Sequence, residues 1–196
     1  MRKVIIDHTR RILDDFFKVD EGYLRYERFD GTMSPVVRRL NFERGDSVAA
    51  LIYKPITKRI VLVNQFKYPT YKKGPGWITE TMAEMIDEGE DPQTAVRREI
   101  LEETGYDLRT LEHISTFYLS PGGSSERIVL YYAEVDDRKI TEGGGIAAEG
   151  EDILNVELSI EDALKQINSG EIADAKTIIA ILWLRNRIAD KQDGLE

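Results

Sequence analysis

A short helix that carries three acidic side chains is the strongest constraint in this sequence. The run Asp91–Tyr106 begins with Asp-Pro, a good N-cap followed by a good first helical residue. Gly105 suits the position just past the end of a helix. Val96 and Ile100 are four residues apart, so they share one face and can seat the helix on a core. The sequence therefore predicts a capped helix with one buried apolar edge.

Three acids lie toward the end of that helix. Glu99, Glu102 and Glu103 are at positions i, i+3 and i+4, so α-helical geometry brings them to one face. Like charges at this spacing repel by about 0.2–0.5 kcal/mol even when exposed, and a bridging cation reverses the sign of that interaction. Oxygen ligands suit Mg²⁺ or Mn²⁺. The alternative is a solvated acidic face without a ligand.

Composition excludes several classes of protein. The 196 residues are enough for one full core, and we expect an α/β domain over residues 46–196 after a strand extension over residues 1–45. The net charge of −9 argues against a nucleic-acid or anionic-membrane surface. The absence of cysteine and the presence of only two histidines argue against disulfides and against zinc or histidine metal sites. Without a membrane-spanning apolar run or a signal-peptide pattern, we expect a cytoplasmic protein.

The rest of the chain predicts strands on both sides of the acidic helix. Apolar and β-branched residues indicate seven strands, over residues 14–29, 36–42, 47–53, 59–66, 113–119, 128–135 and 153–158. Two further helices are expected over about residues 159–169 and 173–189. Elements in this order suit an α/β/α sandwich around a mixed sheet, with an N-terminal antiparallel strand extension.

The stretch from Ala83 to Tyr106 resembles the Nudix box, G-x5-E-x7-R-E-U-x-E-E-x-G-U, in which U is an apolar residue. The matching positions are Glu90, Arg98-Glu99, Ile100, Glu102-Glu103 and Gly105-Tyr106. The resemblance implies the Nudix fold, which is this same α/β/α sandwich. It also implies a hydrolase that uses Mg²⁺, with Mn²⁺ as the alternative ion, to cleave a nucleoside diphosphate linked to another group.

One position departs from the box, because Glu84 replaces its opening Gly. If that Gly is needed for a positive φ, a Glu there would be strained by about 1 kcal/mol or more. Glu84 would also add a fourth carboxylate beside the metal. The other interpretation, which we expect, is that the Glu84 side chain points to solvent.

The resemblance assigns roles by position within the box. The implied metal ligands are the backbone carbonyl of Ala83, Glu99 and Glu103, with Glu102 as a helper. Arg98 is expected to pair with a box acid such as Glu90, and so to hold the acidic helix against the loop before it.

The proton acceptor for the attacking water is expected in a mobile loop after the box. The segment from Gly143 to Asp152 fits by position, and its three consecutive glycines allow closure. Glu149 is the first candidate for the general base and Glu151 the second. The alternative is a flexible acidic turn without a catalytic role.

The rest of the chain is similar to the ADP-ribose pyrophosphatase and nucleoside-diphosphate-sugar hydrolase branch of the family. Pro121 follows Tyr106 by 15 residues, the spacing that marks ADP-ribose pyrophosphatases, and Ser120–Arg127 and Gly170–Thr177 are like theirs. GDP-mannose hydrolases share Ser-Pro-Gly-Gly and a loop like Gly143–Gly145. The resemblance implies hydrolysis of ADP-ribose to AMP and ribose 5-phosphate. The alternatives are GDP-mannose or a broad range of such sugars, and also a non-catalytic nucleotide-sugar-binding module or a simple divalent-ion binder.

Five residues match positions that bind the nucleotide in this branch: Phe16, Arg39, Lys67, Glu80 and Ser120. Phe16 would stack on a base and Arg39 would pair with a phosphate or a ring, both reaching in from the partner subunit of an obligate homodimer. A core aromatic and a surface salt bridge are the respective alternatives for these two. Lys67 replaces an Arg that is common at its position and loses the bidentate fork.

Overall fold

The computed structural model describes residues 1–145 and 152–192. These residues form two compact units. The first unit consists of Met1–Asp46 and Tyr118–Arg127, and the second of the described residues of Ser47–Phe117 and Ile128–Glu196. Glu149 and Glu151, the two candidates for the general base, lie outside the described residues.

An antiparallel three-stranded sheet, in the order β1-β2-β3, forms the body of the first unit. Its strands are β1 (Val4–Asp14), β2 (Lys18–Tyr26) and β3 (Val37–Glu43). The predicted strand over residues 36–42 is confirmed by β3. The strand predicted over residues 14–29 is confirmed in its middle part by β2, but its predicted start is wrong, because the chain turns after β1 and places Asp14 opposite Lys18 on β2.

Seven strands form the sheet of the second unit in the described part of the chain. They are β4 (Ser47–Lys54), β5 (Arg59–Phe66), β6 (Trp77–Glu80), β7 (Met82–Met85), β8 (Tyr106–Tyr118), β9 (Arg127–Lys139) and β10 (Leu154–Ser159). The main order is β10-β5-β4-β9-β8, with β6 paired to β5 and β7 paired to β4. The sheet is mixed, because β4 is parallel to β9 and antiparallel to β5 and β7.

Among the described residues, three α-helices lie on the two faces of this sheet: α1 (Pro92–Glu99), α2 (Ile160–Ser169) and α3 (Ala175–Gln192). Alternate residues of β4 enter different cores. Val48 packs in the core that contains Val96 of α1, whereas Leu51 packs in the core that contains Leu184 of α3. This alternation is what a strand with both faces covered requires. The predicted α/β/α sandwich around a mixed sheet is therefore confirmed.

Within residues 1–145 and 152–192, the structure contains no helix that is long and apolar enough to cross a membrane.

Candidate active site

The acidic helix has the ends that the sequence predicts. The Asp91 side chain accepts hydrogen bonds from the backbone N–H groups of Gln93 and Thr94, each at 3.1 Å. Pro92 is the first helical residue, and Gly105 has a φ of +76° just past the end. Val96 is completely buried, so the predicted apolar edge is also confirmed.

The last turn of the helix differs from the prediction. Ile100–Thr104 form a π-helical turn instead of continuing α1. The Thr104 hydroxyl donates a hydrogen bond back to the Ile100 carbonyl within this turn. Single π-helical turns are frequently found at functional sites. The wider turn means that the α-helical i, i+3, i+4 rule does not fix the directions of Glu102 and Glu103.

Arg98 lies among three acids of the helix and of the loop before it. Its guanidinium is 3.2 Å from Glu102 and 3.5 Å from Glu90, and it forms a short ion pair with Glu99. The predicted pairing with Glu90 is confirmed. Burial alone would lower the pKa of Arg98, but the three acids raise it. This guanidinium therefore ties the acidic helix to its preceding loop through charge-assisted bonds.

The Glu99 carboxylate is buried and has other acids near it. Burial, opposed by Arg98 and reinforced by the negative charges of Glu84 and Glu102, raises the pKa of Glu99 to about 7. Its side chain is only 8% exposed. Perturbation of this kind, with burial and specific charged neighbours, is common at functional sites.

Glu84 belongs to this cluster. The residue is partly exposed, so the expectation that its side chain points to solvent stays a prediction, and its negative charge contributes to the raised pKa of Glu99. Glu84 lies in β7 opposite Val48. Among the described non-glycine residues only Lys58 has a positive φ, so Glu84 does not carry the backbone strain considered for it.

The donor chemistry of this cluster fits a divalent cation. Its acids supply oxygen ligands, which hard divalent ions prefer, and their mutual repulsion favours a positive ion. Glu103 is buried, at 2% exposure, in the π-helical turn that follows Glu99, and Ala83 lies in β7 directly before Glu84. No three acidic or histidine side chains form a complete ligand set within the described ranges. In this structure the positive charge at the cluster is that of Arg98.

A second charged cluster surrounds Glu80 at the end of β6. One carboxylate oxygen of Glu80 accepts a hydrogen bond from Lys176 Nζ at 3.0 Å, and the other lies 3.7 Å from Lys67 Nζ. Lys176 also donates to Asp174 at 2.8 Å. Burial would lower the pKa of Lys176, but Glu80 and Asp174 raise it. The structure thus brings together the two predicted residues Lys67 and Glu80.

Lys176 and Asp174 were not predicted as site residues. Their only sequence signal is the segment Gly170–Thr177, which resembles the nucleotide-sugar branch without indicating a partner for the lysine. The contact with Glu80 joins residues 96 positions apart in the chain. No local pattern predicts a contact at that separation.

The remaining predicted substrate residues belong to the first unit. Phe16 is 73% exposed, so the alternative of a core aromatic is wrong. Arg39 is exposed and donates to the backbone carbonyl of Arg38 at 2.9 Å. Within the described ranges Arg39 makes no ion pair, which also removes the surface salt bridge as an alternative. Ser120 is exposed, at the start of the turn that contains Pro121.

Comparison with known proteins identifies this arrangement of elements. The model of the NUDIX domain matches residues 43–180 of the chain. The ADP-ribose pyrophosphatase of Escherichia coli (strain K12) is 36% identical over 171 residues, which cover 87% of this chain and 82% of that protein. The GDP-mannose pyrophosphatase of Escherichia coli O139:H28 is 34% identical over 187 residues, 94% of this chain and 96% of that protein.

A solved structure supports the fold independently. The crystal structure of an ADP compounds hydrolase superposes with a TM-score of 0.73 and covers 96% of each chain. The two sequences are 18% identical, so this likeness concerns the fold alone.

Substitution of Lys176 by Met should strongly destabilise the protein. The change leaves the Glu80 and Asp174 carboxylates buried without their shared cation, and removing one partner of a buried ion pair costs about 3–5 kcal/mol. Urea unfolding should show a loss of that size. The matched control is Lys67→Met, which removes a 40% exposed cation from the same Glu80. The control should change the free energy of unfolding by less than about 1 kcal/mol. Equal losses in the two variants would contradict this assignment.

Proposed function

The chain belongs to the NUDIX domain family, and from that premise we propose that it is a Mg²⁺-dependent hydrolase of nucleoside diphosphate sugars. The observation that carries the proposal is the charged cluster around Glu99, which has the electrostatics expected of a cation site. The proteins named as relatives are pyrophosphatases of ADP-ribose and of GDP-mannose. Both substrates join a nucleoside diphosphate to a sugar.

The residues proposed to hold the metal are Glu99, Glu103 and the backbone carbonyl of Ala83, with Glu102 as a helper. A bound Mg²⁺ supplies neutralisation of the pyrophosphate charge and a lowered pKa for a coordinated water. Mn²⁺ suits the same oxygen donors. Arg98 orients this set, because its guanidinium contacts both Glu99 and Glu102.

The proposed general base is Glu149, with Glu151 as the second candidate. A carboxylate that accepts the proton of the attacking water completes the hydrolysis of a phosphorus–oxygen bond. Both residues are assigned by their position in the chain. The described residue Gly145, shortly before them, donates its N–H to the Glu102 carbonyl at 3.3 Å. The last described residue before the two candidates therefore contacts the end of the acidic helix.

ADP-ribose is the proposed substrate, with AMP and ribose 5-phosphate as products. Lys67 offers an exposed ammonium for a phosphate, and Glu80 beside it offers a carboxylate for a donor group of the nucleotide. GDP-mannose is the second candidate. The relative that acts on it covers 94% of this chain, against 87% for the ADP-ribose enzyme.

We also propose a homodimer formed through the first 45 residues. The three-stranded sheet of the first unit leaves large apolar side chains exposed, namely Val4, Ile6, Leu13 and Leu40, and Val36 directly before β3 is exposed as well. Exposed apolar groups in such a number mark an interaction surface. Exposure of Phe16 and Arg39 fits residues that complete the site of a second copy, with Ser120 as a further contact to the sugar.

Product analysis tests the activity itself. Incubation with Mg²⁺ and a panel of nucleotide sugars should release a nucleoside monophosphate and a sugar phosphate, with the highest kcat/KM for ADP-ribose. A higher kcat/KM for GDP-mannose would reassign the substrate. Absence of any nucleoside monophosphate, with Mn²⁺ as well as Mg²⁺, would overturn the enzymatic proposal and favour a binding module.

Substitution of Glu103 by Gln should remove most turnover while leaving the fold intact. The amide has nearly the same size as the carboxylate but lacks the charge that a divalent ligand provides, so kcat should fall by roughly 100-fold or more. The matched control is Glu88→Gln, a change of the same kind at an exposed residue of the preceding loop. Circular dichroism and urea unfolding check the fold. Extensive unfolding of Glu103→Gln would instead give the acid a structural role.

A mixing experiment tests the shared site. Arg39→Ala and Glu103→Gln should each be inactive as pure dimers if Arg39 acts on the partner subunit's site. Subunit exchange then creates heterodimers in which one site keeps both residues, and random pairing restores about a quarter of wild-type activity. No recovery after verified exchange would show that Arg39 acts within its own subunit or outside the site.

A further inference from the structure

The backbone carbonyls at the end of the acidic helix are satisfied by donors from outside the helix. The last carbonyls of any helix have no helical N–H to pair with. Here the Glu103 carbonyl accepts bonds from the Gly144 N–H at 2.7 Å and from Asn155 Nδ2 at 3.2 Å. The Glu102 carbonyl accepts from the Gly145 N–H at 3.3 Å. The π-helical turn is therefore held by a glycine segment and by one side chain of β10.

The glycine segment touches the helix end backbone to backbone. Gly143 has a φ of +68°, and a Cβ there would lie 2.5 Å from the carbonyl carbon of Thr104. A Cβ on Gly105 would lie 2.2 Å from the Thr141 carbonyl oxygen. Because carbon atoms cannot approach backbone so closely, any side chain at either residue would separate the two segments. Gly143 is thus required for the contact between the glycine segment and the helix end. This role is in addition to the loop mobility that the sequence suggested for the consecutive glycines.

Asn155 makes one described side-chain hydrogen bond, the one to the Glu103 carbonyl. It lies on β10 opposite Val63, within the sheet. Its Oδ1 is buried and accepts no hydrogen bond from the described residues. Burying an amide oxygen without a donor is unfavourable. The bond that favours the Asn155 side chain at this position is therefore the one that its Nδ2 donates, and this bond fixes the backbone carbonyl of Glu103.

We propose that Asn155 is a positioning residue for the metal ligand Glu103. By holding the Glu103 carbonyl, it holds the π-helical turn and so the direction of the Glu103 side chain. This inference rests on the proposed function only for the metal-binding role of Glu103. Residues that orient a metal ligand typically change metal affinity by 10–100-fold when they are replaced.

Direct measurement of Mn²⁺ binding tests the inference without substrate. Free Mn²⁺ is counted by electron paramagnetic resonance while the whole protein is titrated. Asn155→Asp keeps the shape of the side chain but replaces the donor with an oxygen that repels the carbonyl. Asn155→Ala removes the donor without adding charge. Both variants should bind Mn²⁺ about 10–100-fold more weakly than the wild type, with a melting temperature close to wild type in the absence of metal.

The matched control is Asn64→Asp, on the neighbouring strand β5. Its Nδ2 donates to the Thr79 hydroxyl at 2.8 Å, so the substitution also exchanges one donated bond for a negative charge. Mn²⁺ binding should stay near the wild-type value. An equal loss in Asn64→Asp would attribute the effect to charge and overturn the proposal, as would wild-type affinity in Asn155→Ala.

Turnover measurements separate positioning from substrate binding. At saturating Mn²⁺, the Asn155 variants should show a lower kcat with a KM near that of the wild type. Unfolding of both variants would make Asn155 a structural residue and overturn the proposal. If the wild type binds Mn²⁺ through Glu103 but cleaves no nucleotide sugar, the hydrolase proposal fails. The positioning of Glu103 by Asn155 is then still tested by the Mn²⁺ affinities of the variants. If the wild type binds no Mn²⁺, the positioning proposal fails.

Discussion

Burial of the Glu99 carboxylate next to other acids is the constraint on which the rest of this structure depends. Glu99 is nearly inaccessible to water, and Glu84 and Glu102 add negative charge beside it. A group of this kind persists only where the surroundings fix it and a positive charge offsets it. Arg98 supplies that charge within the chain, and its contacts extend back to Glu90. The packing that buries Glu99 makes its negative charge unfavourable without a nearby cation. The same packing therefore favours the binding of a cation at this cluster.

The fold holds this cluster from several directions. Asp91 caps the start of the acidic helix, and Val96 anchors its middle in the core on one face of the sheet. At the other end, Gly143 contacts the backbone directly and Asn155 donates to the Glu103 carbonyl. The helix is short, so its geometry depends on these tertiary contacts more than on helix propensity. Precise placement of ligands requires this kind of rigid support.

Family membership specifies the chemistry of the reaction more narrowly than it specifies the substrate. The matched domain includes the whole acidic cluster, whereas Phe16 and Arg39 lie before it, in the first unit. Relatives of similar identity act on ADP-ribose or on GDP-mannose, as their names state. A common fold accommodates different substrates through residues outside its reaction centre. The Lys176–Glu80 pair joins the end of β6 to α3, and neither residue belongs to the acidic helix.

Local patterns in the chain were sufficient to predict the capped helix, its acidic residues and the sandwich of helices on a mixed sheet, whereas the pairing of Arg98 with Glu90 came from the family resemblance. Such features depend on neighbours a few residues apart, whose relation repeats with the period of a helix or strand. Strand β1 was missed because polar residues at Thr9–Arg11 interrupt its apolar alternation. The π-helical turn, the effect of Glu84 on Glu99 and the Asn155–Glu103 bond depend on folding. They arise where segments distant in the chain pack together, and no periodicity encodes which backbone group a buried side chain will meet.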